Sequence, residues 1–288
     1  MKTIKNMFIA GVTAIAIVFT VSSCQKGFDA KTYAPAKPLP SYGGFSSSKD
    51  IEPGNLVAYW PFNSDLTDSI AKTVGVATGT SFSAGVAGKG LQGADKSYAI
   101  SNTSAAIQGL HNFTISLWAK MPQNTNALGL MSIANNLTFW GNFDVFFDTG
   151  DDLTATSGIL KVHMWNKSAS ATGTDAWLGG FKVDKPWGNW INILVTYDDA
   201  ASKVTVYYNG GAAGNTVANG FAPLDWSAAK QMVFGTMQFQ TTPSLTTNTG
   251  AQDWAGFLTG TLDQVRIYNK ILTTTEISAL YNLEKAGR

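Results

Sequence analysis

Short runs in which apolar and polar residues alternate recur along this chain, and they restrict what it can fold into. The run FTISLWAK at residues 113–120 places Phe113, Ile115 and Leu117 on one side. Side chains of a β-strand point alternately to the two faces of a sheet, so this pattern predicts a strand with one buried face. Similar runs lie at residues 56–60, 190–197, 204–208, 231–240 and 260–268.

The composition also favours strands over helices. Glutamate, a good helix former, occurs only at Glu52, Glu276 and Glu284, whereas the chain has 9 Trp, 16 Phe and 9 Tyr, which favour sheets. Asn209-Gly210 after an alternating run predicts a tight hairpin turn. Because no helical pattern separates the runs, we expect an all-β fold, namely a two-sheet antiparallel jelly-roll sandwich.

One helix is predicted, and it lies at the C-terminal end. Thr273 followed three residues later by Glu276 fits a capping box, in which each residue satisfies a backbone amide of the other. Ile277, Leu280 and Tyr281 then follow at helical spacing. The sandwich is therefore expected to end in a short helix.

The first residues predict export. Lys2 and Lys5 precede an apolar run at residues 7–21, which has the anatomy of a secretory signal and is short for a membrane span. The run ends in VSSC at residues 21–24, which resembles the cleavage box of bacterial lipoproteins, where the cysteine becomes the lipidated N-terminus. Gln25 after it implies, by the same resemblance, the outer membrane.

Three parts are thus predicted: residues 1–24 as a signal peptide ending in lipidated Cys24, residues 25–52 as a flexible Pro-, Ser- and Gly-rich tether, and residues 53–288 as one domain. A net charge of +1 gives no general attraction to nucleic acid. Cys24 is the only cysteine, which excludes an intramolecular disulfide and a cysteine-based metal site.

Two neighbouring runs between residues 137 and 166 contain the ionisable and aromatic side chains that could form a functional site. In the first, Asp144, Phe146 and Asp148 fall on one face. In the second, His163 and Trp165 share a face with Lys161. One face of this strand pair is therefore polar and aromatic, as in a catalytic cleft, a sugar-binding groove or a solvated surface.

Four segments resemble the laminin-G-like domains of the concanavalin A-like lectin/glucanase superfamily, as found in bacterial lipoproteins. They are LVAYWPFNSDLTDS (56–69), FTISLWAK (113–120), WINILVTYDDAASKVTVYYNG (190–210) and GTLDQVRIYNKILTTTEISALY (260–281). The resemblance implies two antiparallel sheets in a jelly roll. Residues 121–187 match it only loosely, and this is where function usually varies.

Catalysis is one alternative. Glucanases of the superfamily use two Glu on one strand with an Asp between them, and the nearest analogue here is Asp144 with Asp148. Phe146 stands where the family has a carboxylate, and the domain body contains no Glu. His111 and His163 are the only histidines, which disfavours a hydrolytic zinc site. Whether the chain is an enzyme stays open, with a non-enzymatic role favoured.

Sugar binding is the second alternative. Sugar sites combine an exposed aromatic ring with amide and carboxylate groups, and the candidate ligand-binding residues are Trp140, Asn142, Asp144, His163, Trp165 and Trp177. Trp60, Trp118 and Trp190 are expected in the sheet framework instead. Trp226 and Trp254 lie in loops and are expected at a rim.

The resemblance also implies a structural calcium ion, which takes oxygen ligands. In the superfamily such an ion bridges an early loop to an Asp on the closing strand. Asp263 has the closing-strand position, and Asn63, Asp65 and Asp68 lie in the early loop. The expected ligands are Asn63, Asp68 and Asp263.

These observations favour a non-catalytic, membrane-anchored lipoprotein of the cell envelope that captures poly- or oligosaccharide for neighbouring glycan-uptake proteins. A protein-binding adhesin or structural envelope component is an alternative, because laminin-G-like domains often bind proteins. The third is a glycoside hydrolase using Asp144 and Asp148. No nucleic-acid partner is expected.

Overall fold

The protein is described by a computed structural model, which covers residues 38–167, 173–218, 220–246 and 249–288. The chain divides into two units, Met1–Leu39 and Pro40–Arg288, and the second is described below. The predicted signal peptide, Cys24 and the first part of the predicted tether lie outside the described residues. In the described part, no helix is long and apolar enough to span a membrane.

Strands dominate the second unit. In chain order the elements are β1 (Leu56–Trp60), β2 (Val76–Thr78), β3 (Ser81–Ala84), β4 (Lys89–Gln92), β5 (Tyr98–Asn102), α1 (Ala105–Gln108), β6 (Phe113–Lys120), β7 (Ala127–Ala134), β8 (Phe143–Asp148), β9 (Ser157–Asn166), β10 (Thr174–Asp184), β11 (Ile191–Asp198), β12 (Lys203–Tyr208), β13 (Gly211–Val217), β14 (Gln231–Phe234), β15 (Ala255–Gly256), β16 (Thr261–Tyr268) and α2 (Thr274–Lys285), with 3-10 turns at Ser48–Asp50 and Gln238–Gln240.

The strands form two sheets. The first sheet has the order β13-β12-β11-β6-β16-β4-β3, with β1 paired to β16. The second has the order β10-β9-β8-β7-β14-β5-β2, with the short β15 added in parallel to β7. The other pairings are antiparallel, so the predicted two-sheet sandwich with a C-terminal helix is confirmed.

Aromatic rings from both sheets meet in the core. Phe113 of β6 stacks on Tyr197 at 5.5 Å between ring centroids and meets Phe143 of β8 edge-on at 5.9 Å. Trp226 lies 5.0 Å from Phe113 and is fully buried. The expectation that Trp226 sits at a rim is therefore wrong, because its large apolar ring gains more by filling the gap between the sheets.

Two turn predictions had different outcomes. Asn209-Gly210 connects β12 to β13 with both φ angles positive, at 51° and 78°, as the hairpin prediction requires. The glycine-rich segment at residues 88–93 and the run at residues 98–101 also predict a hairpin from the sequence, but in the structure the strands β4 and β5 do not pair with each other. β4 lies in the first sheet and β5 in the second, because the intervening turn carries the chain across the sandwich.

The C-terminal helix α2 covers the outer face of the first sheet. Its predicted capping box is present, since the Thr273 hydroxyl accepts from the Glu276 amide and the Glu276 carboxylate accepts from the Thr273 amide. Leu280 and Leu283 are buried against Leu194 of β11. The helix thus gives this sheet a second, smaller apolar core.

Residues preceding β1 join the same core. Ile51 is buried among the apolar residues of α2. The Arg288 guanidinium donates to the carbonyl oxygens of Pro40 at 2.6 Å and Ser46 at 2.5 Å. The folded unit therefore begins at Pro40, so the predicted domain boundary at residue 53 lies inside it.

A buried ion pair joins α2 to the first sheet. Glu284 is fully buried and accepts from Arg266 Nε at 2.7 Å and from Trp118 Nε1 at 2.7 Å. Arg266 Nη2 donates to Ser48 Oγ at 3.1 Å. Burial makes both charges depend on each other, since neither can be solvated by water.

We expect Glu284→Gln to lower the free energy of unfolding by about 3 kcal/mol, because it leaves the buried Arg266 charge without a counter-charge. Glu52→Gln is the control. Glu52 pairs with Lys270 near the surface, and its loss should cost under about 1 kcal/mol. Urea denaturation measures both, and equal losses would contradict the assignment of the buried pair.

Candidate functional site

The outer face of the second sheet brings several of the predicted residues side by side. In the strand register Asp144 of β8 is opposite His163 of β9, which is opposite Trp177 of β10. Their side chains share one face because opposite residues of an antiparallel pair point the same way. The structure therefore gathers Asp144 and His163, as the alternation of the two runs suggests, and adds Trp177, which lies outside those runs.

His163 is held between two carboxylates. Its Nδ1 lies 3.1 Å from Asp144 Oδ2, and its Nε2 lies 2.7 Å from Asp175 Oδ1. Asp144 also accepts from Ser132 Oγ at 2.5 Å and from the Gly141 amide at 2.8 Å. The side chains of Ser132, Asp144 and His163 are buried, whereas that of Asp175 is 52% exposed.

The two carboxylates set the charge of the imidazole. Burial lowers the pKa of His163, but the hydrogen bonds and charges of Asp144 and Asp175 outweigh it, so the pKa lies above its usual value. A protonated ring donates from both nitrogens, one to each carboxylate. The group therefore joins the strand β9 to β8 and to β10 by charge-assisted hydrogen bonds.

Trp140 packs over the middle of the outer face of the second sheet. Its ring stacks on Phe146 at 5.4 Å and lies 5.4 Å from His163. It also meets Phe239 edge-on at 5.4 Å, and Phe239 stacks on Phe139 at 4.1 Å. We call these five residues the Trp140 cluster. The segments carrying Phe139 and Phe239 fold over the sheet, so the face is covered by a small aromatic core.

Several predicted ligand-binding residues are buried in the structure. Asn142 is fully buried and its Nδ2 donates to the Trp165 carbonyl at 3.1 Å. Asp144, His163 and Trp165 are also buried. The alternation correctly placed these side chains on the outer face, but the face is not an open groove, so a ligand does not reach them in this structure.

Two tryptophans remain exposed beside the cluster. Trp177 is 48% exposed and Trp254 is 44% exposed. Half-buried Trp140 lies between them, 4.9 Å from Trp177 and 5.9 Å from Trp254. We call these three residues the tryptophan platform. Trp254 is at the surface, as expected of a rim residue, and Trp177 also matches its expected exposure.

Polar groups surround the platform. Asp175 precedes Trp177 by two residues on the same face of β10, and exposed Asp253 directly precedes Trp254. Gly180, three residues after Trp177 on β10, has no atom within 4 Å of where a Cβ would lie, so the surface is open at this position.

Asp175 and Asp253 were not among the predicted site residues. Asp175 carried a usable signal, since it alternates in phase with Trp177. Asp253 carried none, because only the folded loop brings Trp254 against Trp140.

The second candidate carboxylate, Asp148, is engaged as well. Its Oδ2 lies 2.5 Å from Lys161 Nζ. Asp144 is buried and bonded to Ser132, Gly141 and His163, and Phe146 lies between the two aspartates on the strand. This arrangement supplies no pair of free, facing carboxylates of the kind that glycoside hydrolysis requires.

Two of the predicted calcium ligands meet at one turn. Asn63 Oδ1 accepts from the Lys89 amide at 3.0 Å, and Asp263 Oδ2 accepts from the Ala87 amide at 3.1 Å. Burial raises the pKa of Asp263 to about 6, although the amides of Ala87 and Gln264 act in the opposite direction. A buried carboxylate with a raised pKa gains from a nearby cation.

The third predicted ligand has different contacts. Asp68 Oδ1 accepts from the amides of Tyr59 and Ile70, and its buried Oδ2 has no hydrogen-bond partner among the described residues. Within the ranges that the structure describes, no three His, Cys, Asp or Glu residues are grouped to hold a metal. The contacts give no single three-residue donor set, so the calcium ion stays a prediction.

We expect His163→Gln to lower the free energy of unfolding by about 3 kcal/mol, because Asp144 loses its buried charge partner. Since the folded-state pKa of His163 is raised, its contribution is complete below about pH 6.5 and is lost as the pH rises through the folded pKa. The stability gap between wild type and variant should therefore narrow at alkaline pH. Exposed His111→Gln, measured in the same denaturation series, should change little, and a gap independent of pH would contradict this assignment.

Asp263 also predicts that stability falls as the pH rises, but in a more acidic range than for His163. Its folded-state pKa of about 6 exceeds the ordinary 3.8, so the folded protein binds the extra proton and stability should fall as the pH rises from about 4 to about 6. Asp263→Asn should remove this decline in melting temperature. If calcium binds Asp263, calcium should abolish the decline and a chelator should restore it; chelation without effect at pH 7 would exclude the ion.

Comparison with known proteins identifies the fold family. A laminin G-type family model, described as the concanavalin A-like lectin/glucanases superfamily, matches residues 92–278. No curated protein sequence matches the chain.

Several solved structures share the fold. The binding domain of Paraclostridial Mosquitocidal Protein 1 has a TM-score of 0.59 at 19% identity, over 82% of this chain and 53% of that one. Domain 4 of AbnA, a GH43 extracellular arabinanase from Geobacillus stearothermophilus in complex with arabinotriose, has a TM-score of 0.54 at 21% identity, over 78% and 98%. Botulinum neurotoxin type C, whose cell entry is described as dependent upon interaction with two ganglioside molecules, has a TM-score of 0.56 at 13% identity, over 83% and 53%.

This chain spans about half the length of both toxin structures and nearly all of the arabinanase domain. Identities this low establish a shared fold, while the family model covers more than half of the chain. The described two-sheet sandwich agrees with that match, and the chain belongs to the concanavalin A-like lectin/glucanases superfamily.

Proposed function

We propose that this domain binds carbohydrate without cleaving it, and that the tryptophan platform is the binding surface. The observation that carries the proposal is the pair of exposed rings, Trp177 and Trp254, held on either side of Trp140. Exposed aromatic patches on a soluble domain mark interaction sites more often than chance exposure. Flat indole faces fit the apolar C–H faces of sugar rings.

The groups around the rings suit a polyhydroxylated ligand. Asp175 and Asp253 each place an exposed carboxylate next to a platform tryptophan. A carboxylate accepts hydrogen bonds from two hydroxyls at once. Trp177 is supported from below by His163, whose ring lies 4.5 Å away and is itself fixed by two carboxylates. A preorganised ring loses little conformational entropy when a ligand binds.

Similar folds in the comparisons add support by analogy. The arabinanase domain that matches over nearly its whole length is in complex with arabinotriose, and the neurotoxin depends on two gangliosides. Both associate a domain of this architecture with sugar. Fold likeness alone does not carry function, so the platform residues are what the proposal depends on.

The N-terminal segment extends the proposal to location. Residues 21–24 have the lipoprotein pattern, and we infer that Cys24 is lipidated and anchors the domain to the outer membrane. A tether between Cys24 and the folded unit would hold the platform away from the bilayer, where it could capture glycan for neighbouring uptake proteins.

Substitution at the platform tests the binding proposal. Trp177→Ala and Trp254→Ala should each weaken retention in affinity electrophoresis on a polysaccharide panel that includes arabinan by about tenfold, since each removes a stacking surface. Phe82→Ala is the matched control, because Phe82 is an aromatic residue that is 36% exposed on β3 of the other sheet. Wild type that no polysaccharide retains, or platform variants that bind like wild type, would refute the proposal.

Location has a separate test. Cys24→Ser should abolish incorporation of labelled fatty acid and release the protein from the membrane fraction, while leaving the affinity of the domain for glycan unchanged. Fatty-acid labelling that persists in the variant would exclude Cys24 as the lipidated residue.

A further inference from the structure

The two exposed rings of the platform cannot lie in one plane. Trp140 is perpendicular to Trp177, at 89°, and is inclined to Trp254 at 42°. The planes of Trp177 and Trp254 can therefore be no closer to parallel than the difference between these two angles. Sugar rings stacked on both tryptophans must turn relative to each other, as they do in a bent soluble chain and do not in the flat face of a crystalline polysaccharide.

The charged residues nearest to Trp177 and Trp254 in the sequence are both aspartates. Asp175 lies two residues before Trp177 and Asp253 directly before Trp254, and both aspartates are exposed. Protonated His163 carries one positive charge and contacts the carboxylates of Asp144 and Asp175, so these three residues together keep a net negative charge. The platform therefore presents a negative potential to a ligand that approaches it.

The nearby cations are already neutralised. Lys161 on this face of β9 pairs with Asp148 at 2.5 Å, and Lys182 on β10 lies 3.4 Å from Asp152. The charge of each ammonium is offset by its own aspartate, so neither lysine adds a net positive charge to this face. An anionic sugar on the platform would thus meet two carboxylates without a net positive charge from the lysines on the described outer faces of β9 and β10.

We propose that the platform selects neutral glycan chains that bend between successive sugar rings, and that it discriminates against polyanionic glycans and flat crystalline surfaces. This selectivity rests on the proposed glycan-binding function and specifies its ligand class. Repulsion between exposed like charges falls with ionic strength, so the discrimination against anions should be strongest in dilute salt. The discrimination against flat surfaces depends on ring geometry and should not change with salt.

A matched set of ligands tests the charge selectivity. The neutral polysaccharide that wild type retains most strongly is converted to carboxymethyl and hydroxyethyl derivatives with equal degrees of substitution, so that size is matched and charge differs. Affinity electrophoresis in about 10 mM and about 300 mM salt compares them, a range over which screening becomes several-fold shorter in reach. We expect the carboxymethyl form to bind about five- to tenfold more weakly than the hydroxyethyl form in dilute salt, and the difference to shrink in high salt.

Single-charge variants assign the effect to named residues. Asp175→Asn and Asp253→Asn should each narrow the difference between the two derivatives. The Asp175→Asn variant keeps a side-chain oxygen that can accept from His163. Asp253 does not contact His163, so the Asp253→Asn variant tests the charge effect without changing the hydrogen bonds of His163. Asp50→Asn, at an exposed position in the 3-10 turn preceding β1, changes net charge equally and should leave the difference unchanged.

The outcomes separate the two proposals. The selectivity is overturned if wild type retains the carboxymethyl form as strongly as the hydroxyethyl form, or more strongly. It is also overturned if the difference in affinity between the two derivatives is unchanged in both Asp175→Asn and Asp253→Asn. Sedimentation with a crystalline polysaccharide as efficient as retention by its soluble form overturns the geometric part. Absence of binding to every glycan refutes the proposed function itself, whereas binding that ignores charge refutes only this inference.

Discussion

Both faces of the central strands β7, β8 and β9 of the second sheet are buried, and the arrangement of the candidate site follows from this constraint. One face packs against the first sheet, where rings such as Phe113 and Phe143 meet. The other is covered by the Trp140 cluster, whose members come from two segments folded over the strands. Apolar burial on both sides leaves no water for the polar side chains between them, so Asp144 and His163 satisfy each other. The residues left for a ligand are those at the margin of the cover.

The outer face of the first sheet also has an apolar cover and a buried charged pair. There α2 covers the first sheet, and Glu284 joins the helix to Arg266 and Trp118. On one side Arg266 and Glu284 join β16 to α2, and on the other His163 and Asp144 join β9 to β8. Such pairs add little net stability compared with apolar packing, but breaking one leaves an uncompensated charge. Here they join α2 to the first sheet, and β9 to β8 and β10.

Membership of a lectin-like superfamily does not by itself make this chain a lectin, because one fold supports many functions. The proposed binding role depends instead on the platform, where Trp177 and Trp254 are exposed while Trp60, Trp118 and Trp226 are buried. The same geometry argues against hydrolysis. Asp144 is closed off by its own hydrogen bonds, and Asp148 is paired with Lys161.

The sequence determined the sandwich, the Asn209-Gly210 turn and the capped terminal helix, because alternation, turn chemistry and capping act over a few residues. It also placed Asp144 and His163 on one face, since the alternation of side chains along a strand is a local property; that Trp177 joins them was decided by the pairing of β9 with β10. It could not show that this face is covered, because the cover depends on Phe139 and Phe239 meeting across a hundred residues of chain. Burial of Trp226 and Trp165, and the position of Trp254 beside Trp140, were likewise decided by long-range packing. Only the tertiary structure moved the candidate site from the floor of a groove to an exposed platform.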